Sequence, residues 1–266
     1  MTDLSSPAPR ALPDDIATAL SRVASRLGSI GRDVLWYRDI PSTNDVAGRL
    51  ADGGANEGAL VLADMQTAGR GRLGRIWVSP PGAGIYASIV LRPGPSVVKL
   101  LTLAAGVAVA EGIATASGLE VELKWPNDVH CGGRKLAGIL AERGSTHVVL
   151  GFGINVLRAV YPADVRVRAT SIELELGRPV DRALVLSECL ASLASRYREL
   201  GDGRADAVMS AWRRRAASML GRRVEWDGPG VVQRGVAERV DDDGALIVRT
   251  ESGPMRVISG EVRWVL

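Results

Sequence analysis

The spacing of apolar residues predicts a chain that mixes helices with strands. Ile16, Leu20, Val23 and Leu27 recur at helical spacing, which predicts a first helix that Asp14 can cap and that two following glycines end. Short apolar runs between glycine, proline and polar clusters predict strands. The predicted strands are 33–39, 59–64, 84–91, 121–124, 135–142 and 147–151; the later helices are one capped by Ser42 or Thr43 that runs to about residue 50, then 97–117, 182–200 and 205–217.

The last fifty residues have a different character. Four β-rich segments follow one another, and Asp243-Gly244 supplies a hairpin turn between two of them. This pattern predicts a small separate β-barrel that begins near Gly221. The β-rich segments are 222–226, 231–240, 245–250 and 255–266. The predicted organisation is an N-terminal tail with a short helix at 1–32, a main domain at 33–220 and the small domain at 221–266, and the Pro/Ser/Ala-rich residues 1–12 are expected to be mobile.

The composition is typical of a folded cytoplasmic protein. With 266 residues, 46% of them hydrophobic, the chain can bury one sizeable core or a core plus a satellite domain. Its two cysteines imply no disulfide framework, and the N-terminus lacks the apolar region of a signal peptide. The longest apolar run, residues 100–110, is about half of the ~20 residues that a membrane helix needs. We therefore expect a buried helix there and no membrane segment.

The charges are distributed unevenly. A net charge of +3 is weak evidence for a nucleic-acid partner. However, the segment from Met65 to Ala110 contains no acidic residue. The same segment carries Arg70, Arg72, Arg75, Arg92 and Lys99. Such a local positive field suits an anionic ligand, although a basic surface loop would show the same pattern.

Residues 69–75, GRGRLGR, are the central motif. Their glycines satisfy G-x-G-x-x-G, but no helix follows and no acidic residue lies about 20 positions later, which argues against a dinucleotide fold. The chain also lacks a Walker A motif. Alternating Gly and Arg instead predicts a flexible loop whose guanidinium groups can bind carboxylate and phosphate. The alternatives are a mobile basic loop and an RNA-binding segment. Because the only nearby acidic residue in sequence is Asp64, the empty loop is expected to lack a counter-charge.

Two further motifs place polar groups next to predicted strands. In residues 124–128, KWPND, Asn127 and Asp128 follow a strand, and Asp128 could hold Mg²⁺ through oxygen. The alternative is an Asn-Asp turn beside a core tryptophan. In residues 133–140, GRKLAGIL, Lys135 opens an apolar strand, where burial is costly unless it meets an anion, and Gly138 would let a ligand approach the backbone. An edge lysine reaching water is the alternative.

Two shorter motifs complete the set. Residues 151–155, GFGIN, end a strand with two glycines and Asn155, which can place an amide near a purine or phosphate, or merely mark an ordinary strand end. Residues 41–44, PSTN, form a helix N-cap that can also contribute polar groups to a site.

Together these motifs resemble the catalytic module of biotin protein ligases, and the resemblance covers about residues 33–266. It rests chiefly on GRGRLGR, KWPND and GRKLAGIL, which occur in the family's order and spacing. The resemblance implies an α/β (α+β) fold: a mixed sheet flanked by helices, followed by a small SH3-like barrel. It also implies that biotin and ATP form biotinyl-5'-AMP, with Mg²⁺ on the phosphates, and that biotin then passes to a lysine of a biotin carboxyl carrier domain.

The resemblance also implies roles for individual residues. Lys135 and Arg72 would be catalytic, with Lys135 touching both the biotin carboxylate and the α-phosphate, and Asp128 would lie near the metal. Biotin would be bound by Ser42, Thr43, Asn44, Gln66, Arg70, Gly71, Arg72, Lys135 and Gly138, with residues 70–72 in a loop that closes over biotin and the adenylate. The nucleotide would be bound by Arg75, Trp77, Lys124, Asn127 and Asn155.

The sequence also bears on DNA binding, on two rival functions and on the histidines and cysteines. About 32 residues precede the first predicted strand, too few for a winged helix-turn-helix, so we expect no specific DNA binding. A lipoate or octanoate ligase of the related fold is one rival, and a nucleic-acid-binding module that uses the basic loop and Arg213–Arg215 is another. The spacing of the histidines and cysteines matches no metal site, so structural roles are expected for His130, His147, Cys131 and Cys189.

Overall fold

The computed structural model describes residues 7–159, 161–227, 231–260 and 262–265. Of the segment 1–12 that was expected to be mobile, residues 1–6 lie outside the described residues. Within residues 7–12, Arg10 N donates to Trp36 O at 2.8 Å, so this part is attached to the fold. The helices are α1 (Asp14–Arg22), α2 (Ala24–Leu27), α3 (Thr43–Asp52), α4 (Pro95–Ser117), α5 (Ala163–Arg166), α6 (Ile172–Leu176), α7 (Arg182–Gly201) and α8 (Ala205–Arg215). The strands are β1 (Val34–Ile40), β2 (Leu60–Gln66), β3 (Gly84–Leu91), β4 (Glu122–Lys124), β5 (Asp128–Cys131), β6 (Arg134–Arg143), β7 (Val148–Asn155), β8 (Arg223–Asp227), β9 (Val232–Val240), β10 (Leu246–Thr250), β11 (Gly253–Val257) and β12 (Val262–Trp264).

A seven-stranded sheet of order β1-β2-β3-β7-β6-β5-β4 forms the centre of the molecule. β1 and β2 are parallel and the other neighbours are antiparallel, so the predicted mixed sheet is confirmed. β5 was not predicted, because four residues between two turns carry no readable alternation. It exists because its backbone pairs with β4 on one side and β6 on the other.

Helices cover both faces of this sheet. α4 is apolar on nearly all sides and lies buried in the main core with α7 and α8. It is long and apolar enough to cross a membrane by composition, but 72% of its most apolar window is buried inside the protein. On the opposite face, α3 packs Val46 and Ala47 against Val61 and Val90 of the central strands. The rest of that face carries the candidate site.

The C-terminal segment is a five-stranded antiparallel sheet of order β11-β10-β9-β8-β12, which confirms its predicted β character. Among the described residues no pairing between β11 and β12 closes this sheet into a barrel. Its apolar residues continue the main core. The predicted turn at Gly244 has φ +84° and docks on the main domain: its carbonyl accepts a hydrogen bond from Trp125 Nε1 at 2.9 Å, and Leu103 packs beneath it.

The other differences from the predicted elements are local. The first helix breaks at Val23, although Ile16, Leu20, Val23 and Leu27 are buried as their spacing predicts. The short helices α5 and α6 were not predicted, since four or five residues carry too little periodicity.

Candidate active site

Three glycines of neighbouring strands make room for other side chains on the face of the sheet that α4 does not cover. They are Gly138 on β6 and Gly151 and Gly153 on β7. A Cβ at Gly151 would lie 2.1 Å from Asn44 Oδ1, and one at Gly153 would lie 2.5 Å from the Trp77 ring. Glycine is therefore required at both positions, because side chains from α3 and from the loop before β3 occupy the space. The result is a flat glycine floor on which Asn44 and Trp77 lie.

A group of uncharged polar side chains lies at one side of this floor. The backbone nitrogen and the hydroxyl of Thr43 both donate to Gln66 Oε1, at 2.8 and 3.0 Å. Ser88, which is fully buried, contacts Asn44 Oδ1 at 2.5 Å and Thr43 Oγ1 at 2.7 Å. The hydroxyls of Thr43 and Ser88 carry two protons for these three side-chain contacts. The Thr43 hydroxyl can therefore donate either to Gln66 or to Ser88. Ser42 is buried beside them at the N-cap position, without a capping hydrogen bond.

A lysine–aspartate pair lies at the other side of the floor. Lys135 Nζ is 2.7 Å from Asp128 Oδ1, and it is also 5.4 Å from the centroid of the Trp77 ring. Burial raises the pKa of Asp128, but His130 and Lys135 outweigh this effect and bring that pKa to about 2. Asp128 is therefore ionised at neutral pH. Lys135 is not simply an edge lysine, since only a third of its side chain is exposed.

Asp128 is the residue to test as a magnesium ligand. Among the described residues no group of three or more His, Cys, Asp or Glu side chains could hold a metal ion. Mg²⁺ commonly uses one or two carboxylates together with substrate phosphates and water. An ionised Asp128 on the site face fits that donor set, with the phosphates supplying most of the ligands.

The basic loop forms a small hairpin. Gly71 N donates to Arg75 O at 2.7 Å, Trp77 N donates to Gly69 O at 2.8 Å, and Arg70 forms an antiparallel bridge with Ile76. At its tip, Leu73 has φ 56° and is largely exposed.

Arg72 extends from this hairpin toward the KWPND turn. Its Nη1 donates to Asn127 Oδ1 at 3.3 Å. Beside it lies a cavity of about 240 Å³, which Trp125, Ile139 and Ile258 also line. The guanidinium therefore has room to reorient.

The expectation that the empty loop lacks a counter-charge is wrong. Arg70 Nη1 lies 2.7 Å from Asp45 Oδ1, and Arg70 Nη2 lies 3.0 Å from Glu142 Oε2. Both carboxylates are far from the loop in sequence, and α3 and β6 bring them to it. Arg70 is accordingly held at the base of the loop.

The residues assigned to the nucleotide do not form one cluster. Trp77 lies on the glycine floor beside Lys135, so it is next to residues that were assigned to biotin. The amide of Asn127 donates to Ile139 O at 2.8 Å, and that of Asn155 donates to Thr170 O at 2.9 Å. Lys124 Nζ lies 5.1 Å from the Trp264 ring of the C-terminal sheet. Arg75 also faces this sheet: after Arg263, it contributes to lowering the pKa of Asp227.

Three residues of the site were not predicted from the sequence: Asp45, Ser88 and Glu142. Alternation along β6 contains a signal for Glu142, which lies four residues after Gly138 and hence on the same face. Ser88 is the one serine in a run from 84 to 91 that is otherwise made of glycine, aliphatic residues and a tyrosine. Either observation would have identified a polar group on the site face.

The histidines and cysteines have structural contacts. Cys189 is buried and its Sγ contacts Val109 O at 3.6 Å, and His130 packs on Trp264 with ring centroids 5.7 Å apart. His147 is buried near Asp52, at 3.9 Å. Burial raises the pKa of both the Cys131 and the Cys189 thiol. Both thiols therefore stay protonated and are weak nucleophiles.

Comparison with known proteins identifies the family. Residues 36–155 match the model of the Biotin/lipoate A/B protein ligase family, and residues 219–263 match the Biotin protein ligase C terminal domain. The chain is 39% identical over 232 residues to the biotin--[acetyl-CoA-carboxylase] ligase of Mycobacterium tuberculosis, covering 83% of this chain and 85% of the relative. The chain belongs to the biotin protein ligase family. It is also 34% identical to the bifunctional ligase/repressor of Bacillus spizizenii, over 94% of this chain and 79% of the relative.

Solved structures agree with this biotin ligase assignment. The biotin protein ligase of Aquifex aeolicus in complex with biotin and ATP superposes with a TM-score of 0.78 at 28% identity, covering 88% of this chain and 99% of that one. The match to the C-terminal domain separates this ligase from the lipoate branch of the family model, which the first match alone leaves open.

Proposed function

We propose that this biotin ligase family member joins biotin to ATP as biotinyl-5'-AMP and then transfers biotin to a lysine of a biotin carboxyl carrier domain. The observation that carries the proposal is the position of Lys135. It lies on a glycine floor, with a group of uncharged polar side chains on one side and the Arg72–Asn127 contact on the other. One cation can thus reach both an acid bound on the floor and a phosphate beside it.

The polar group suits the cyclic urea of biotin. A urea carbonyl needs donors, which the hydroxyls of Ser42 and Thr43 can supply, and urea N–H groups need acceptors, which the side-chain oxygens of Asn44 and Gln66 can supply. The Trp77 ring and Gly138 would then contact the apolar part of the ligand. Uncharged partners are the right choice because the urea itself carries no charge.

In the first half-reaction a carboxylate oxygen of biotin forms a bond to the α-phosphorus of ATP, and the bond to pyrophosphate breaks. Both reactants are anionic, so cations between them offset their repulsion and stabilise the charge that develops. Lys135 and Arg72 would supply this charge. Mg²⁺, held by the phosphates and Asp128, would neutralise charge on the phosphate oxygens when bound. No nucleophilic side chain is required.

In the second half-reaction the neutral amine of the acceptor lysine attacks the carbonyl of the mixed anhydride. A C–N bond forms, the C–O bond to AMP breaks, and the amine loses a proton. The basic hairpin 70–76 would cover the anhydride and exclude water until the acceptor arrives. Gly71 and Arg72 are the residues we assign to this cover.

Two relatives suggest the acceptor. The Mycobacterium tuberculosis and Paracoccus denitrificans relatives are named biotin--[acetyl-CoA-carboxylase] ligases, at 39% and 36% identity. We infer that the carrier domain of such a carboxylase is the acceptor here. The absence of specific DNA binding and a cytoplasmic location stay predictions.

Pyrophosphate exchange tests the proposal. Exchange of labelled pyrophosphate into ATP should depend on biotin and should not occur with lipoate. Equal exchange with and without biotin, or faster exchange with lipoate, would contradict it. A mobility shift with nucleic acid that weakens steeply with salt, in a protein without exchange, would support the nucleic-acid-binding alternative.

A further inference from the structure

We propose that Asp45 and Glu142 form an anionic latch that holds Arg70, so that Arg70 positions the basic hairpin instead of binding the ligand. The latch would tie the base of the hairpin to the polar group that we assign to the biotin urea. The inference deepens the proposed function and rests on it for its kinetic consequence.

The latch joins three separate elements. Arg70 opens the hairpin, Asp45 lies in the first turn of α3, and Glu142 lies near the end of β6. The guanidinium uses different nitrogens for its two partners: Nη1 contacts Asp45 Oδ1 at 2.7 Å, and Nη2 contacts both oxygens of Glu142 at 3.1 and 3.0 Å. Such a fork geometry fixes direction as well as distance. An arginine held in this way has little freedom to contact a substrate phosphate.

Glu142 also contacts the polar group through Asn44. Its Oε2 accepts a hydrogen bond from Asn44 Nδ2 at 2.6 Å while it contacts Arg70. Because Asn44 donates through its nitrogen, its oxygen must be the acceptor that faces Ser88. One carboxylate thus sets the orientation of Asn44 and the position of Arg70 together.

The residues that hold the latch against the central sheet are tightly packed. Asn44 occupies the space above Gly151, where a Cβ would lie 2.1 Å from its side-chain oxygen, and Ser88 beneath it is fully buried. On the loop side, the Arg70–Ile76 bridge closes the hairpin at its base. The tip can therefore move while the base stays fixed, and the latch decides where the base lies.

The latch is moderate in strength, since the side chains of Arg70, Asp45 and Glu142 are each 34–42% exposed. Breaking it should displace the hairpin from the ligand without removing a group that contacts the reacting atoms. We expect Glu142→Gln and Asp45→Asn each to raise KM for biotin about five-fold, the scale of one half-exposed charge pair, and to leave kcat within about two-fold. Both substitutions preserve shape, and the amide oxygen introduced by Glu142→Gln can still accept the hydrogen bond from Asn44.

Limited trypsin digestion gives a readout that does not depend on activity. In the ligand-free protein, cleavage after Arg70 should become about five-fold faster in both variants, with the cut assigned by mass spectrometry. Glu225→Gln is the matched control, because it removes a carboxylate that pairs with Arg234 at 2.7 Å in the C-terminal sheet. It should change neither cleavage after Arg70 nor KM for biotin.

A double-mutant cycle tests whether the residues act together. Arg70→Gln combined with Glu142→Gln should raise KM no more than Arg70→Gln alone, and Arg70→Lys should recover part of the loss. Unchanged cleavage after Arg70 in both carboxylate variants would overturn the latch. Equal falls in kcat and kcat/KM would also overturn it, since they would place Arg70 at the reacting atoms. Absence of biotin-dependent exchange in the wild type would refute the proposed function, and the digestion result would still decide the latch.

Discussion

Lys135 and Asp128 are ion-paired at 2.7 Å although they are not opposite one another in the sheet. The β5–β6 register pairs Asp128 with Gly138 and Lys135 with His130, with an irregularity after Val129. The lysine side chain therefore runs along β6 across Gly138, where a Cβ would lie 3.1 Å from its Cε and Nζ. The absence of a side chain at Gly138 leaves this path clear, and the lysine lies flat on the site floor.

Lys135→Ala should lower the rate of biotinyl-AMP formation by at least ~10²-fold, the scale of losing one electrostatic contact in a water-excluded site. Single-turnover adenylation with labelled ATP measures this rate. Arg204→Ala is the control, because Arg204 is an exposed cation that pairs with Asp202 at 3.4 Å. A near wild-type rate for Lys135→Ala would remove Lys135 from the mechanism.

Gly153→Ala should displace Trp77, since the new Cβ would lie 2.5 Å from the indole. Crowding of this kind typically costs about 1–3 kcal/mol of stability, and it should also weaken biotin binding. Gly48→Ala provides the comparison, because nothing lies within 4 Å of a Cβ there and the residue is inside α3, where alanine is favoured. Thermal unfolding and biotin titration measure the two effects. If Gly153→Ala binds biotin as the wild type does, Trp77 does not line the biotin site.

Asp128 should contribute to stability in a defined pH range. Its pKa in the folded protein is about 2, below the ordinary value of 3.8 that applies in the unfolded chain. A depressed carboxyl pKa stabilises the folded state above the unfolded value, and this contribution is lost as the pH falls through the folded value. The difference in unfolding free energy between the wild type and Asp128→Asn should thus narrow from pH 4 to pH 2. If the difference in unfolding free energy stays constant over this range, the pKa of Asp128 is not lowered in the folded protein.

The basic hairpin should be cut by trypsin fastest after Arg75, because Arg75 and Ile76 are exposed whereas Arg70 is latched and Arg72 is half-buried. Biotin plus ATP should slow all three cuts, since bound carboxylate and phosphate would favour the closed hairpin. The cleavage rate is measured with and without saturating ligands. Equal rates in both states would show that the hairpin does not close over the ligands.

Local sequence patterns were sufficient for most of the fold. The strands β1, β2, β3, β6 and β7 and the long helices follow from runs and spacings of apolar residues, because burial on one or both faces of an element imposes them. Glycines beside arginines predicted a flexible loop with cationic side chains, and a lysine opening an apolar strand predicted an anion site. Each of these inferences needs only neighbours in the chain.

The contacts that build the site depend on the order and register of the strands. Arg70 and Glu142 are 72 residues apart in sequence, and Asn44 and Glu142 are 98 apart. They meet because β3, β7 and β6 are adjacent, which sets Ser88 opposite Gly151 and Gly151 opposite Leu140. A local pattern shows which face of a strand is buried but not which strand lies beside it. For this reason the counter-charges of Arg70 could not be found from sequence spacing, and the folded sheet was needed to reveal them.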